Sequence, residues 1–351
     1  MEHTEAGSEV GRVRPARSDV ITKAQAGDGD AFRDLTEPHR RELQVHCYRM
    51  LGSLQDAEDA VQDTLLSAWQ GIGGYVEARA SIRTWLYRIA TNRCLNALRS
   101  ASRRPAKAWD VPRVRPPEAN GSGDVVWLEP YPDALLPGAF PAPPGPEARY
   151  EQTEAISLAF VTALQALPPR QLAVLILRDV LGFRASEVAD MLDSTVESVN
   201  SALKRARAAM QSRRLSAAGH EPPPATGSPA EDVVVEKFVR AWEAADLDEL
   251  IALLTGDVVI TMPPIPFEYV GRDVVIGFCA SLFGAGRRFD LVPTRANGQP
   301  AFGAYLRPRA GIRHGTGLYV LTLTGTEICA MTRFDAGVLP WFGLPQSLPS
   351  R

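Results

Sequence analysis

Eleven prolines, at 105, 112, 116, 117, 130, 132, 137, 141, 143, 144 and 146, interrupt the middle of this 351-residue chain. Each lacks a backbone donor and fixes φ, so no helical domain can run through them. A second break, EPPPATGSP at Glu221–Pro229, joins four more prolines to Gly and Ser. The chain therefore divides into a helical block at 18–104, a proline-rich linker at 105–146, a helical block at 147–216, a short linker at 217–230 and a C-terminal block at 231–340. With 45% hydrophobic and 23% charged residues, the blocks can bury real cores.

Hydrophobic spacing gives each block its class. Val61, Leu65, Ala68 and Trp69 form one amphipathic stripe, and Leu86, Ile89, Ala90, Cys94 and Ala97 form another. Val174, Leu175, Leu177 and Val180 belong to a buried helix that stops near Gly182. The C-terminal block opens on a helix, VVVEKFVRAWEAAD. Short β-branched and aromatic runs follow (VVITM, AFGAYLR, GLYVLTLT, EICAMTRF), so it reads as α+β.

Cys47, Cys94, Cys279 and Cys329 are far apart and make no zinc or disulfide pattern. No metal or cofactor is expected. The N-terminus lacks the apolar stretch of a signal peptide and no segment suits a membrane span, so the expected setting is cytoplasmic, without a membrane partner.

The formal net charge of −3 hides a sharp sorting. Met50–Ala78 carries five acids (Asp56, Glu58, Asp59, Asp63, Glu77) and no base. Arg79–Lys107 carries eight bases (Arg79, Arg83, Arg88, Arg93, Arg99, Arg103, Arg104, Lys107) and no acid. One face suits a basic partner and the next a polyanion. Trp85, Tyr87, Asn92 and Asn96 lie within the basic run and add groups that stack on or hydrogen-bond unpaired bases. In the second block, ASEVADMLD and STVESVNSALKRARAAM have helix-turn-helix spacing, with Val188, Ala189 and Leu192 buried before the turn and Val196, Val199 and Leu203 after it. The second of these helices exposes Glu197, Ser198, Asn200, Ser201, Lys204 and Arg205, a set fitted to base edges and phosphates in a major groove.

DAEDAVQDTLLSAW, SIRTWLYRIATNRCLNALR and LPPRQLAVLILRDVLGFRASEVADMLDSTVESVNSALKRARAAM resemble, in the correct order, regions 2 and 4 of extracytoplasmic-function sigma factors. The resemblance implies two all-α sigma domains and two partners, core RNA polymerase (β′ clamp helices and β flap) and promoter DNA. It implies that Asp56, Glu58, Asp59, Gln62 and Asp63 dock on polymerase. It also puts Trp85, Arg88, Asn92, Asn96 and Arg99 near the −10 element and the exposed set of the second helix, Asn200, Ser201, Lys204 and Arg205 above all, at the −35 element. Asp193 stands in the turn where glycine is common. VVWLEPYPDALLP is too aromatic and apolar for a solvated tether and suits docking on a domain or on polymerase. In the family, this linker runs through the polymerase cleft.

Residues from about Asp232 to Asp335 resemble the SnoaL-like, nuclear-transport-factor-2-like fold, a curved sheet and helices around a conical pocket. Trp242, Met262, Tyr269 and Arg333 are the candidate pocket residues, with Asp246 and His314 as further polar candidates. No acid/base pair can be placed among them, so the domain is expected to be non-catalytic. Sequence leaves open a pocket ligand, a separate anti-sigma partner and two other readings: a helix-turn-helix regulator acting without polymerase, and a DNA-tethered cyclase or isomerase.

Overall fold

The computed structural model describes residues 17–100, 109, 111, 114–122, 127–136, 156–216, 221–308 and 311–349. Arg103, Arg104 and Lys107 of the basic run, and Pro137–Pro146 of the linker, lie outside them.

The first unit holds α1 (Arg17–Gln25), α2 (Gly29–Leu51), α3 (Leu54–Gly71) and α4 (Ile82–Ser100). The turn between α2 and α3 is written in LGSL. Gly52 takes φ 70 after α2, and the Ser53 hydroxyl then caps α3 by accepting from the Asp56 N–H. The buried face of α3 is Leu54, Ala57, Ala60, Val61, Thr64 and Ala68, rotated from the expected stripe. Leu65 is half-buried, and Trp69 is exposed with its ring edge against Phe32 at 5.1 Å. On α4 the buried residues are Ile82, Leu86, Tyr87, Ala90, Thr91, Cys94 and Leu95, while Ala97 is exposed.

The second unit holds α5 (Leu158–Gln165), α6 (Pro169–Leu175) continuing through a π-helical turn at Ile176–Val180, α7 (Ala185–Met191) and α8 (Val196–Ser216). Gly182, at φ 72, ends the π turn. Asp193 sits between α7 and α8 at φ 47, so the aspartate adopts the left-handed backbone that glycine reaches more cheaply.

The third unit opens with α9 (Pro229–Ala244) and α10 (Leu247–Ile251). Strands β2 (Leu254–Met262) and β3 (Ile265–Val270), helix α11 (Arg272–Phe283), and strands β4 (Arg288–Ala296), β5 (Gln299–Arg307), β6 (Arg313–Thr324), β7 (Glu327–Phe334) and β8 (Ser347–Leu348) follow. A strand from the linker, β1 (Gly121–Ser122), begins the sheet order β1-β3-β2-β7-β6-β5-β4. Only the β2/β7 pair among these is parallel. Strand β8 pairs with β6, so the sheet continues beyond residue 340.

Two cores result. The inner face of the sheet closes over Phe238, Trp242, Phe278, Phe302 and Tyr319, joined by Val111 and Val114 of the linker. Ala296, Ala301, Tyr305 and Val320 of the sheet instead pack into a core shared with both helical units and with Leu128 and Tyr131. The linker thus supplies side chains to both cores.

Candidate nucleic-acid and polymerase interfaces

Helix α3 presents Glu58, Asp59, Gln62 and Asp63 to solvent, with Asp56 half-buried in the first turn. The N-terminal end of α3, where unpaired N–H groups concentrate positive potential, is already taken by Glu129 of the linker. Its Oε2 accepts from the Ser53 hydroxyl at 2.9 Å and from the Leu54 N–H at 2.9 Å. Farther along the helix the acids face outward because Ala57, Ala60, Val61, Thr64 and Ala68 take the buried side.

On α4, Arg88, Asn96 and Arg99 are exposed, Asn92 is partly exposed, and Trp85 is half-buried against Tyr75 at 5.1 Å. Tyr87 does not join them. It is fully buried, edge-on to His46 and Phe183, with its hydroxyl 3.3 Å from Glu42 Oε2, and so cannot stack on a base. Burial by itself would raise the Glu42 carboxyl, but His39 at 2.5 Å and Arg83 at 3.2 Å hold it below the usual range.

Helix α8 exposes Glu197, Ser198, Asn200, Ser201, Lys204 and Arg205 together, because Val199, Ala202, Leu203 and Ala206 take the buried side. Val196, expected to be buried, is exposed at the start of the helix. The candidate −10 surface meets the turn that leads into α8. Arg88 Nη2 lies 3.0 Å from Asp193 Oδ1, and Asn92 Nδ2 donates to the Met191 carbonyl at 3.2 Å. The turn of the helix-turn-helix thus occupies two side chains expected at the other promoter element.

A second junction centres on Asn297, a residue with no signal in sequence beyond the Asn-Gly of a tight hairpin. Asn297 and Gly298 take φ 57 and 73 between β4 and β5. Fully buried, Asn297 accepts from the Tyr131 N–H at 2.8 Å and donates to Tyr48 Oη at 2.9 Å and to the Ile156 carbonyl at 2.8 Å. One amide joins the first helical unit, the linker, the start of the second helical unit and the sheet. Beside it, Asp133 accepts from the Gly298 N–H at 2.7 Å and faces Arg295 at 3.4 Å, while Arg295 also pairs with Glu231 at 2.9 Å. Burial is the leading influence on Asp133 and raises its carboxyl despite these partners. Gln299 links the Leu158 N–H, at 3.0 Å, to the Thr322 hydroxyl, at 2.8 Å.

In the sheet domain, Trp242, Met262, Tyr269 and Arg333 are all buried. Asp246 and His314 are not in the interior. Asp246 caps α10 from the surface by accepting from the Glu249 N–H at 3.0 Å, and exposed His314 meets Ser347 at 3.1 Å. Trp109 covers Arg333, whose guanidinium carbon lies 4.9 Å from the indole centre. Among the described residues, no group of three or more His, Cys, Asp and Glu could hold a metal ion, and no helix is long and apolar enough to cross a membrane.

An acidic helix, a basic helix bearing asparagines and a helix-turn-helix, in that order, define a sigma-70-type transcription initiation factor with an added α+β domain. Residues 35–104 match Sigma-70 region 2, residues 157–210 match Sigma-70 region 4 and residues 235–335 match the SnoaL-like domain. The chain belongs to the ECF RNA polymerase sigma factors, with the fused C-terminal domain as part of its architecture. It is 42% identical over 327 residues to ECF RNA polymerase sigma factor SigG of Mycobacterium tuberculosis, a match that covers 90% of this chain and 85% of SigG. ECF sigma factor SigW of Bacillus subtilis is 26% identical over 195 residues, covering 54% of this chain and 92% of that one. The crystal structure of extracytoplasmic function sigma factor SigJ of Mycobacterium tuberculosis shares the fold, with TM-score 0.55 and 23% identity over 85% of this chain and 94% of that one. As a sigma factor the chain has core polymerase and promoter DNA as partners.

Proposed function

We propose that this conformation is a closed state of the sigma factor, held by its own C-terminal domain. Glu58, Asp59, Gln62 and Asp63, with Asp56, bind core polymerase. Trp85, Arg88, Asn92, Asn96 and Arg99 meet the −10 element, and Glu197, Ser198, Asn200, Ser201, Lys204 and Arg205 meet the −35 element. The domain from α9 to β8 acts as a regulator in cis, without catalysis.

The contact of Arg88 and Asn92 with Asp193 and Met191 carries this reading. Elements about 25 base pairs apart lie roughly 85 Å apart along a duplex at about 3.4 Å per pair. With Arg88 and Asn92 bonded to the turn that opens directly onto α8, the α4 and α8 sets cannot span both elements at once. Promoter binding therefore requires the two helical units to separate, and the Asn297 junction opposes that separation.

The test is Asn297→Ala in the full chain. Removing the amide strands the Tyr131 N–H and the Ile156 carbonyl, each at about 1–3 kcal/mol, which weakens the closed state. Run-off transcription at limiting core polymerase should rise several-fold. Unchanged output, with the helical units no farther apart by fluorescence transfer, would overturn the closed-state reading.

A further inference from the structure

We propose that the mouth of the C-terminal domain is a receptor for an extended, tryptophan-anchored peptide, and that its resident ligand is the chain's own segment 109–122. Four kinds of recognition converge on this short stretch. Trp109 lies over the buried Arg333 guanidinium and meets Phe278 edge-on at 6.0 Å, while its indole N–H donates to the Val114 carbonyl at 2.8 Å. Val111 and Val114 are buried within the domain's inner core. The Tyr269 hydroxyl, on β3, donates to the Pro117 carbonyl at 2.8 Å. Beyond it the peptide adds a strand to the sheet edge, Gly121 opposite Glu268 and Ser122 opposite Phe267.

The edge is read by a side chain as well. Asn120 donates to the Val270 carbonyl and accepts from the Val270 N–H, both at 2.9 Å, so its amide satisfies the peptide group where β3 ends. Glycine at 121 permits the close approach, since a Cβ there would stand 3.2 Å from the Glu268 side chain. Strand addition gives affinity from main-chain bonds, and anchored side chains give selectivity. Pro116 and Pro117 restrict the segment to extended backbone before it docks, which lowers the ordering cost.

Tethering sets the occupancy. A ligand carried on the same chain as its receptor is met intramolecularly, at an effective concentration set by the chain between them, so a modest intrinsic affinity keeps the site filled. While it is filled, the linker between the two helical units is committed to the C-terminal domain and is withheld from polymerase. That consequence rests on the sigma-factor reading, whereas the docking itself does not.

The test is made without polymerase, so its failure and that of the sigma-factor reading are separable. A fluorescein-labelled synthetic peptide of residues 107–122 is titrated against the full chain and against the full chain carrying Trp109→Ala with Val114→Asp. The variant should bind it at least tenfold more tightly than the wild type, whose mouth is filled, and a scrambled peptide should bind neither. Asn120→Ala, a milder change on an exposed side chain, serves as the second variant. Amide exchange at Gly121 and Ser122 should speed up at least tenfold in it. Absence of saturable binding to the folded variant, equal binding to variant and wild type, or unchanged exchange in Asn120→Ala would each overturn the proposal.

Discussion

His46 shows how one buried side chain couples this protein to pH. It is fully buried, with Nε2 2.9 Å from the Thr91 hydroxyl, and burial followed by the nearby Arg49 and Arg83 charges pushes its pKa down to about 3. Unfolded, an imidazole titrates near ~6.5. The folded pKa is depressed, so the unfolded chain binds the extra proton, and stability present above ~6.5 falls as pH drops toward 3 at about 1.4 kcal/mol per pH unit from this residue. His46→Gln should remove that component, which urea unfolding at pH 7.5 and 5.0 would reveal as a flatter dependence. Gly52 is a second case. Its φ of 70 is left-handed, and a Cβ would stand 3.0 Å from the Trp127 carbonyl. Gly52→Ala should cost about 1–2 kcal/mol in thermal or urea unfolding and loosen the linker over α3. Neither consequence is visible in sequence, where His46 and Gly52 are an unremarked helix residue and an ordinary helix stop.

At the scale of elements, the binding roles proposed for α3 and α8 can be tested separately. Reversing Asp59 and Asp63 to Lys should abolish co-migration with core polymerase while leaving helical circular dichroism unchanged, because both side chains are exposed and away from the Ala57/Val61/Thr64 face. On α8, Lys204→Ala should weaken binding to all upstream sequences alike. Asn200→Ala should instead relax discrimination at particular bases, by ~1–3 kcal/mol if a bidentate contact is lost, as a panel of promoter variants would show. The α8 exposures were legible because a helix-turn-helix leaves little choice about which face is buried. The α3 stripe was read a fraction of a turn off, since Trp69 is bulky enough to look like core but lies at the rim, its edge on Phe32. Tyr87 misled for the opposite reason. Basic neighbours suggested a base-stacking ring, whereas Phe183 of the second helical unit buries it.

For the whole molecule, the proposed closed state makes the arrangement of units the quantity to test. The Arg88–Asp193 pair is exposed, with 48% and 78% of the two side chains accessible, so it contributes at most about 1 kcal/mol and weakens with salt. The buried Asn297 junction should hold through the same change. Added salt should therefore loosen the contact between α4 and α7 before it separates the sheet domain from the helical units, an order that fluorescence transfer between labelled pairs can check. Sequence by itself determined what is local or periodic: the proline breaks that separate the units, the sorting of acids onto α3 and bases onto α4, the helix-turn-helix, and the alternation that makes the C-terminal block a sheet. Each depends on near neighbours in the chain. Only the tertiary structure decided that Asn297 binds Tyr48, Tyr131 and Ile156, that Trp109 lies over Arg333, and that Arg88 and Asn92 meet the turn before α8. Those contacts join residues as many as 249 apart in sequence, and a short polar or aromatic side chain carries no mark of its partner until the backbone brings the two within hydrogen-bonding or stacking distance.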